Sequence, residues 1–294
     1  MDFRNNIVKF LDENDYSASS VAKAIGVSQA ALSLFLKGSY EGNNEKIQQL
    51  LEHFIERETE KRKNPKKELK FCMTNNAKRI FEVLRMSHLD GEIAVIIGNA
   101  GLGKTTALRE YCRRNKDVIH IESNLSYSTK SVLQELSKKT GGDGLGSINM
   151  LIKEIVEKLK ESGRMIIVDE GEHLPTRALD LLRTINDQSG IGIAITGLPR
   201  LLNNLKGRKG EHAYLYSRVG LVLKIDELED EDVKELVYSY FPSANGISKD
   251  FIKYCNGNAR RLSKLLLRVQ RLSEVNEGKL TSKMVEVANS LIIN

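Results

Sequence analysis

The chain has 294 residues, with 45 Lys and Arg against 39 Asp and Glu, a formal net charge of +6 and 40% hydrophobic content. That length leads to an expectation of two or three domains with a full buried core, and the mild positive charge permits a polyanionic partner without requiring one. Cys72, Cys112 and Cys255 lie far apart with no C-x-x-C pair, which argues against a disulfide framework or a zinc site and fits a reducing cytoplasm.

The first residues carry Asp2, Arg4, Lys9 and Asp12 with no long apolar run, so they do not read as a signal peptide. No apolar stretch approaches the length of a membrane span, and a membrane partner is not expected. Residues 1–56 read as short helices. Within them, 19–38 fits a helix-turn-helix: Ala22 is small where two helices cross, Gly26 permits the turn and Ser28 caps the second helix. Leu32, Phe35 and Leu36 form the expected buried face of that helix, leaving Gln29, Ala30, Ser33 and Lys37 outward. In a recognition helix the outward set enters the major groove. It holds no arginine for guanine and no asparagine for adenine, so Gln29 is the only good base reader and weak sequence preference is expected. A helical adaptor that touches only protein is the alternative.

Residues 57–75 form a charged connector. Between Arg57 and Lys70 there are seven basic and three acidic residues, and Pro65 stops any incoming helix. The run reads as a solvated linker or as a contact for a phosphate backbone.

From 76 to 225, short apolar runs alternate with helical patterns. Strands are expected at 93–97, 118–121, 165–168, 191–196 and 219–225. Near-continuous apolar strands alternating with helices predict an α/β fold with a parallel sheet covered on both faces. The glycine-rich run 141–146 reads as a loop between two of the helices.

The first strand runs into Gly98-Asn99-Ala100-Gly101-Leu102-Gly103-Lys104-Thr105-Thr106, a G-x-x-x-x-G-K-T phosphate-binding loop. Gly98, Gly101 and Gly103 let the backbone curl so that N–H groups point inward. Lys104 supplies positive charge for the β- and γ-phosphates, and the Thr105 hydroxyl can ligate Mg²⁺. The helix expected at 105–114 turns its positive end to the same anion.

The third strand ends in Asp169-Glu170, a Walker B pattern. Asp169 can hold the Mg²⁺ shell, and Glu170 can orient and deprotonate the attacking water. His173, three residues on, reads as structural because Glu170 is better placed as a base. Together these motifs point to an ATPase using ATP and Mg²⁺. The fourth strand ends at Thr196, either a group sensing the γ-phosphate or an ordinary turn cap. Arg218, just before the last strand, is placed to reach a neighbouring subunit's γ-phosphate as an arginine finger, with a surface salt bridge as the alternative.

From 226 onward only helical patterns survive, at 230–241, 249–254, 258–273 and 282–292. This predicts a small all-α C-terminal lid. Arg260 opens one helix and could close over the nucleotide. Arg260, Lys264, Arg268 and Arg271 form one stripe along it, explained as well by solvation as by a ligand.

The order of a helix-turn-helix, a basic linker, G-N-x-G-x-G-K-T, D-E-x-x-H-L, a serine-arginine pair and a lid with G-x-x-R resembles the AAA+ target-selection ATPases of phage Mu and related transposons. The resemblance spans nearly the whole chain and implies four parts: a helix-turn-helix domain (1–56), a basic linker (57–75), an AAA+ core (76–225) and a helical lid (226–294). It implies a protein that binds ATP, assembles as filaments or rings on double-stranded DNA with little sequence preference, and delivers that DNA to a transposase. By the same resemblance Thr196 is sensor 1, Arg218 the finger and Arg260 sensor 2. DNA contacts are expected in the loop after the second strand, with Tyr127, Ser128, Thr129 and Lys130. The loop Lys206-Gly207-Arg208-Lys209 is the second candidate. An ATP-switched regulator with one operator site and a helicase-loader-type protein remain as alternatives.

Overall fold

A computed structural model of the chain describes residues 3–63, 69–207, 210–242, 246–276 and 278–292. It divides into two compact units, residues 1–68 and 69–294.

The first unit contains α1 (Phe3–Glu13), α2 (Ala18–Ile25), α3 (Gln29–Lys37) and α4 (Asn44–Lys63). Ser17 caps α2 and Ser28 caps α3, while Gly26 and Gly38 end them in left-handed conformation. Helices α2 and α3 meet at 109°, within the range of a helix-turn-helix. Val21, Ala22, Leu32 and Phe35 are buried with Ile47, Leu51 and Phe54 of α4, whose spacing puts all three on one helical face. Leu36 is half-buried and packs against the same core, and Gln29, Ala30 and Lys37 are exposed, as expected; Ser33 is half-buried and Leu34 exposed. One expectation is corrected here. Helix α4 continues to Lys63, seven residues into the expected linker. Its extension is held by an ion pair from Lys61 to Glu58 at 2.7 Å, and Glu58 also accepts from the Tyr16 hydroxyl at 2.8 Å.

The second unit opens with a short strap, residues 69–74, and α5 (Asn75–Asp90). The α/β part follows as β1 (Ile93–Ile97), α6 (Lys104–Arg114), β2 (Val118–Glu122), α7 (Thr129–Lys139), α8 (Ile148–Leu159), β3 (Met165–Asp169), α9 (Thr176–Ser189), β4 (Gly192–Gly197), α10 (Arg200–Lys206), α11 (Ala213–Tyr216) and β5 (Val219–Lys224). The sheet is parallel throughout, in the order β2-β3-β4-β1-β5. Strands β1, β3 and β4 are buried along their whole length. That explains their unbroken apolar runs, since a central parallel strand is covered on both faces. One face packs on α7, α8 and α9 through residues such as Leu133, Leu151 and Leu182. The other packs on α5 and α6 through Ile80, Leu84 and Leu108.

The lid is α12 (Asp230–Tyr240), α13 (Ser248–Cys255), α14 (Ala259–Val275) and α15 (Ser282–Ser290), closed around Phe251, Leu262, Leu265 and Val285. The acidic start of the lid is tied to the first turn of α5. Asp232 accepts from the Asn75 N–H at 2.9 Å, Glu229 from the Asn75 side chain at 3.1 Å, and the Asp226 carbonyl from Asn76 at 2.7 Å. A carboxylate at the first turn of α5 also meets the positive end of that helix. No single helix among the described residues is long and apolar enough to cross a membrane.

Candidate active site

The carboxyl ends of β1, β3 and β4 carry the site. The loop between β1 and α6 needs glycine for two different reasons. Gly101 and Gly103 have φ of 84° and 91°, conformations that side chains with a Cβ avoid. Gly98 has no such angle. A Cβ there would stand 2.5 Å from Ile225 Cγ1 and 3.0 Å from the Ile225 carbonyl oxygen, so this glycine is required by close approach rather than by curl. Leu102 is buried in the core and anchors the loop, leaving its backbone to face the cleft.

Helix α6 begins at Lys104 itself, with Gly103 as its cap. Its first N–H groups therefore point out of the loop, the usual geometry for phosphate. The Lys104 ammonium donates to the carbonyls of Gly98 at 2.6 Å and Asn99 at 2.9 Å. Burial pulls its pKa below the usual lysine range, against the pull of Asp169, Glu170 and Glu172.

Asp169 is fully buried and joins three elements. It accepts from the Thr105 hydroxyl at 2.7 Å, the Thr196 hydroxyl at 2.6 Å and the Glu170 N–H at 2.9 Å. Hydrogen bonds to a buried carboxylate stabilise by roughly 1.5–3 kcal/mol each. Thr196, also fully buried, thus spends its hydroxyl on Asp169 and caps nothing. The oxygens of Asp169 and Thr105 form a hard donor pair suited to Mg²⁺, which keeps most of its remaining shell as water and phosphate.

Glu170 has φ 55° and ψ 34°, a left-handed conformation that is costly for a residue with a side chain and that clusters at functional sites. The strain ends β3 abruptly and turns the chain into a 3₁₀ turn, Gly171–His173. The Ser123 hydroxyl holds the turn by donating to the Glu170 carbonyl at 2.7 Å. Burial raises the Glu170 carboxyl pKa, helped by the charges of Glu172 and Asp169. His173 Nε2 lies 3.8 Å from Glu170 Oε2, close enough to orient the base.

The lid closes one side of the site. The Arg260 N–H donates to the Gly101 carbonyl at 3.0 Å, and the Asn258 side chain to the Ala100 carbonyl at 3.2 Å. Arg260, Lys104, Thr105, Thr106 and Glu170 then line a cleft of about 620 Å³, within the range of small-molecule sites.

Several participants went unnoticed in the sequence. Leu69, Phe71, Cys72 and Thr74 of the strap line this cleft with Leu228 and Leu236 of the lid, an apolar end suited to a base. They fall within the expected connector, read as a solvated linker or a phosphate-backbone contact, although Leu69, Phe71 and Met73 alternate as apolar residues. Glu172 was also missed. Its side chain is buried against Gly197, with the Arg200 guanidinium 3.9 Å from its carboxylate.

Other expected residues lie apart from the cleft. Arg218 precedes β5, whose first residue pairs with Ile93 and whose last pairs with Ile97. Five residues of strand, about 17 Å, therefore separate Arg218 from its own phosphate loop. Its guanidinium is exposed and stands 3.7 Å from Asp187. In the loop after β2, Tyr127 is half-buried and its hydroxyl donates to Glu135, which pushes its pKa up to about 12. Ser128 caps α7. Both side chains thus also serve the fold, and Ser128 remains exposed. Lys130 is exposed, and so is Leu125, at 86%. Gln29 and Lys37 are exposed on α3. Arg208 and Lys209 lie outside the described residues.

A family model described as an AAA domain matches residues 88–205. The ATP-dependent target DNA activator B of Escherichia phage Mu is 30% identical over 241 residues, covering 80% of this chain and 76% of the relative. The Mu-like prophage FluMu DNA transposition protein B of Haemophilus influenzae is 27% identical over 241 residues, covering 80% and 84%. Among solved structures, the Walker-type ATPase of Pyrococcus abyssi shares the fold with a TM-score of 0.59 at 14% identity, over 76% of each chain.

Proposed function

This chain belongs to the AAA+ family of the phage Mu target DNA activator B and the Mu-like transposition protein B, and from that membership we propose that it is an ATP-switched DNA-binding protein of transposition. It is a P-loop ATPase that uses ATP and Mg²⁺. On our reading ATP occupancy lets protomers assemble on duplex DNA with little sequence preference. The assembly selects target DNA and presents it to a transposase, and hydrolysis takes it apart. The working compartment is the cytoplasm of a bacterial host. The observation that carries the reading is the Asp169 junction between Thr105, Thr196 and Glu170, combined with an arginine at the wrong end of the sheet for its own site.

The roles follow from placement. The loop from Gly98 to Thr106 wraps the phosphates, with Lys104 neutralising the β- and γ-groups. Asp169 and Thr105 hold Mg²⁺, which when bound supplies Lewis-acid stabilisation of the phosphate oxygens. Glu170, raised in pKa and steadied by His173, takes a proton from the attacking water. Thr196 keeps Asp169 in register, and Arg260 contacts the nucleotide from the lid. Arg218 completes the site of a neighbouring protomer, so that the full catalytic set exists only between subunits. We assign the helix-turn-helix unit and, within the second unit, the exposed Lys130 to DNA, and the cleft of the second unit to nucleotide.

Electron microscopy of the protein with ATP and random duplex DNA tests this reading. Polymers should form with ATP and persist in Glu170→Gln while hydrolysis falls. A protein that stays monomeric on DNA with ATP overturns it. Loading of a hexameric helicase without effect on a transposase would favour a loader instead.

A further inference from the structure

The arginine before β5 does not stand alone. Asp180, Arg183 and Asp187 share one face of α9, at i, i+3 and i+7. Arg183 holds both carboxylates: its Nε donates to Asp180 Oδ1 at 2.9 Å and its Nη1 to Asp187 Oδ2 at 2.5 Å. Its guanidinium carbon also sits 6.0 Å from the centre of the Tyr214 ring in α11, at the outer reach of a cation–π contact. The Ser217 hydroxyl donates to the Tyr214 carbonyl at 2.9 Å, and Leu215 is buried in one cluster with Leu182 and Ile185 of α9. The backbone that carries Arg218 is thereby fastened to α9.

We infer that Asp187, fixed by Arg183, is a positioning residue for Arg218. The inference rests on the reading of Arg218 as a finger and names what aims it. Asp187 spends one oxygen on Arg183 and turns the other, Oδ1, to Arg218 Nε at 3.7 Å. That distance is a charge contact, too long for a hydrogen bond, so it biases the direction of the side chain without locking its head. The contact is made at Nε, which leaves both terminal nitrogens of the fork to meet a phosphate. Exposure falls along the chain of contacts, from 60% for the Arg218 side chain to 30% for Asp187 and 24% for Arg183. A solvated reach on a more buried support suits a group that acts outside its own protomer. An unsupported arginine would surrender its rotamer freedom at the moment it met the phosphate.

The support stands far from the protomer's own base. Helix α9 follows the turn that begins at Glu170, and from Thr176 to Asp187 it runs about 17 Å at 1.5 Å per residue. Loss of Asp187 is therefore felt at the neighbour's nucleotide and not at the site of the protomer that carries the change.

The test measures steady-state ATP hydrolysis by the full chain assembled on duplex DNA. Asp187→Asn keeps the shape and removes the charge. It should lower kcat by about 10- to 100-fold, the scale of misplacing a reacting group by about 1 Å, with KM for ATP unchanged. Arg183→Lys, whose single ammonium cannot fork onto both carboxylates, should show the same loss in weaker form, and it carries the same comparisons if Asp187→Asn does not fold. Asp187→Asn added to Arg218→Ala should cost nothing more, since the two residues act as one unit. Mixed with Glu170→Gln, which supplies a supported finger but no base, Asp187→Asn should regain turnover. A protomer damaged in its own site is not rescued in this way. Normal or raised kcat in Asp187→Asn overturns the inference, as does a further loss in the Arg218→Ala background or no recovery in the mixture. An undiminished rate in Arg218→Ala overturns the finger reading itself.

Discussion

Two neighbouring regions at the same end of the sheet are built on opposite plans. Where β1, β3 and β4 end, key groups are held by buried partners: the Thr105 and Thr196 hydroxyls by Asp169, and the Glu170 backbone by Ser123. One strand over, the segment after β2 presents Leu125 and Lys130 to solvent, and its remaining polar groups are spent on its own turn. The first plan is preorganisation, which suits chemistry that tolerates little displacement. The second offers charge and reach without fixed geometry, which suits a backbone read for its phosphates and not its sequence.

The largest expected effect tests whether preorganisation stops at the protomer. Arg218→Ala should lower turnover of the assembled protein by about 10³-fold or more, in the range of an arginine finger, with ATP affinity unchanged. Mixing it with Glu170→Gln, which keeps ATP, assembly and Arg218 but loses its own base, should restore turnover. If the mixture is no more active than its parts, the sites are not shared and Arg218 is a surface partner of Asp187.

Next in size is the base. Glu170→Gln should cut the rate of hydrolysis by about 10²–10⁴-fold, the usual range for a positioned general base, while retaining ATP. Single-turnover assays separate the two. Normal hydrolysis in this variant would move the base to another group, with His173 the nearest candidate at 3.8 Å.

A smaller effect gauges how much the buried network contributes. Thr196→Val keeps the shape and removes one hydrogen bond to a buried carboxylate, about 1.5–3 kcal/mol. Turnover should fall roughly 10–100-fold, with a matching loss of thermal stability in the absence of nucleotide. Stability lost without any change in turnover would make Thr196 a packing residue only.

The contrast also explains what could be read from the sequence. Gly98 to Thr105 and Asp169-Glu170 were legible because phosphate and Mg²⁺ demand fixed residue types at fixed spacing. The central strands were legible because burial on both faces leaves unbroken apolar runs. The strap of residues 69–74 was hidden by the lysines before it, since a composition shift marks a linker and cannot show where packing resumes. The buried face of α3 was legible from the spacing of Leu32, Phe35 and Leu36, whereas the half-burial of Ser33 and the exposure of Leu34 depend on how α2 and α4 pack beside it. Ser128 carries a readable capping signal, a hydroxyl three residues before Ser131. Glu172 had none, because its meaning depends on Gly197 and Arg200 lying beside it across the fold.

The smallest effects divide the loop after β2 into scaffold and contact. Ser128 Oγ accepts from the Ser131 N–H at 3.1 Å, and Ser131 Oγ accepts from the Ser128 N–H at 2.8 Å. Ser128→Ala should therefore cost about 1 kcal/mol of stability, as loss of a helix cap does, and leave the salt slope of DNA binding untouched. Lys130→Gln should do the reverse: no measurable change in stability, as for most exposed charges, and a slope smaller by about 0.9 for one phosphate contact. Denaturant midpoints and anisotropy on the same two variants read both quantities. Were Ser128→Ala to weaken DNA binding at unchanged stability, the loop would be a preorganised reader like the phosphate site, and the division between the two regions would fail.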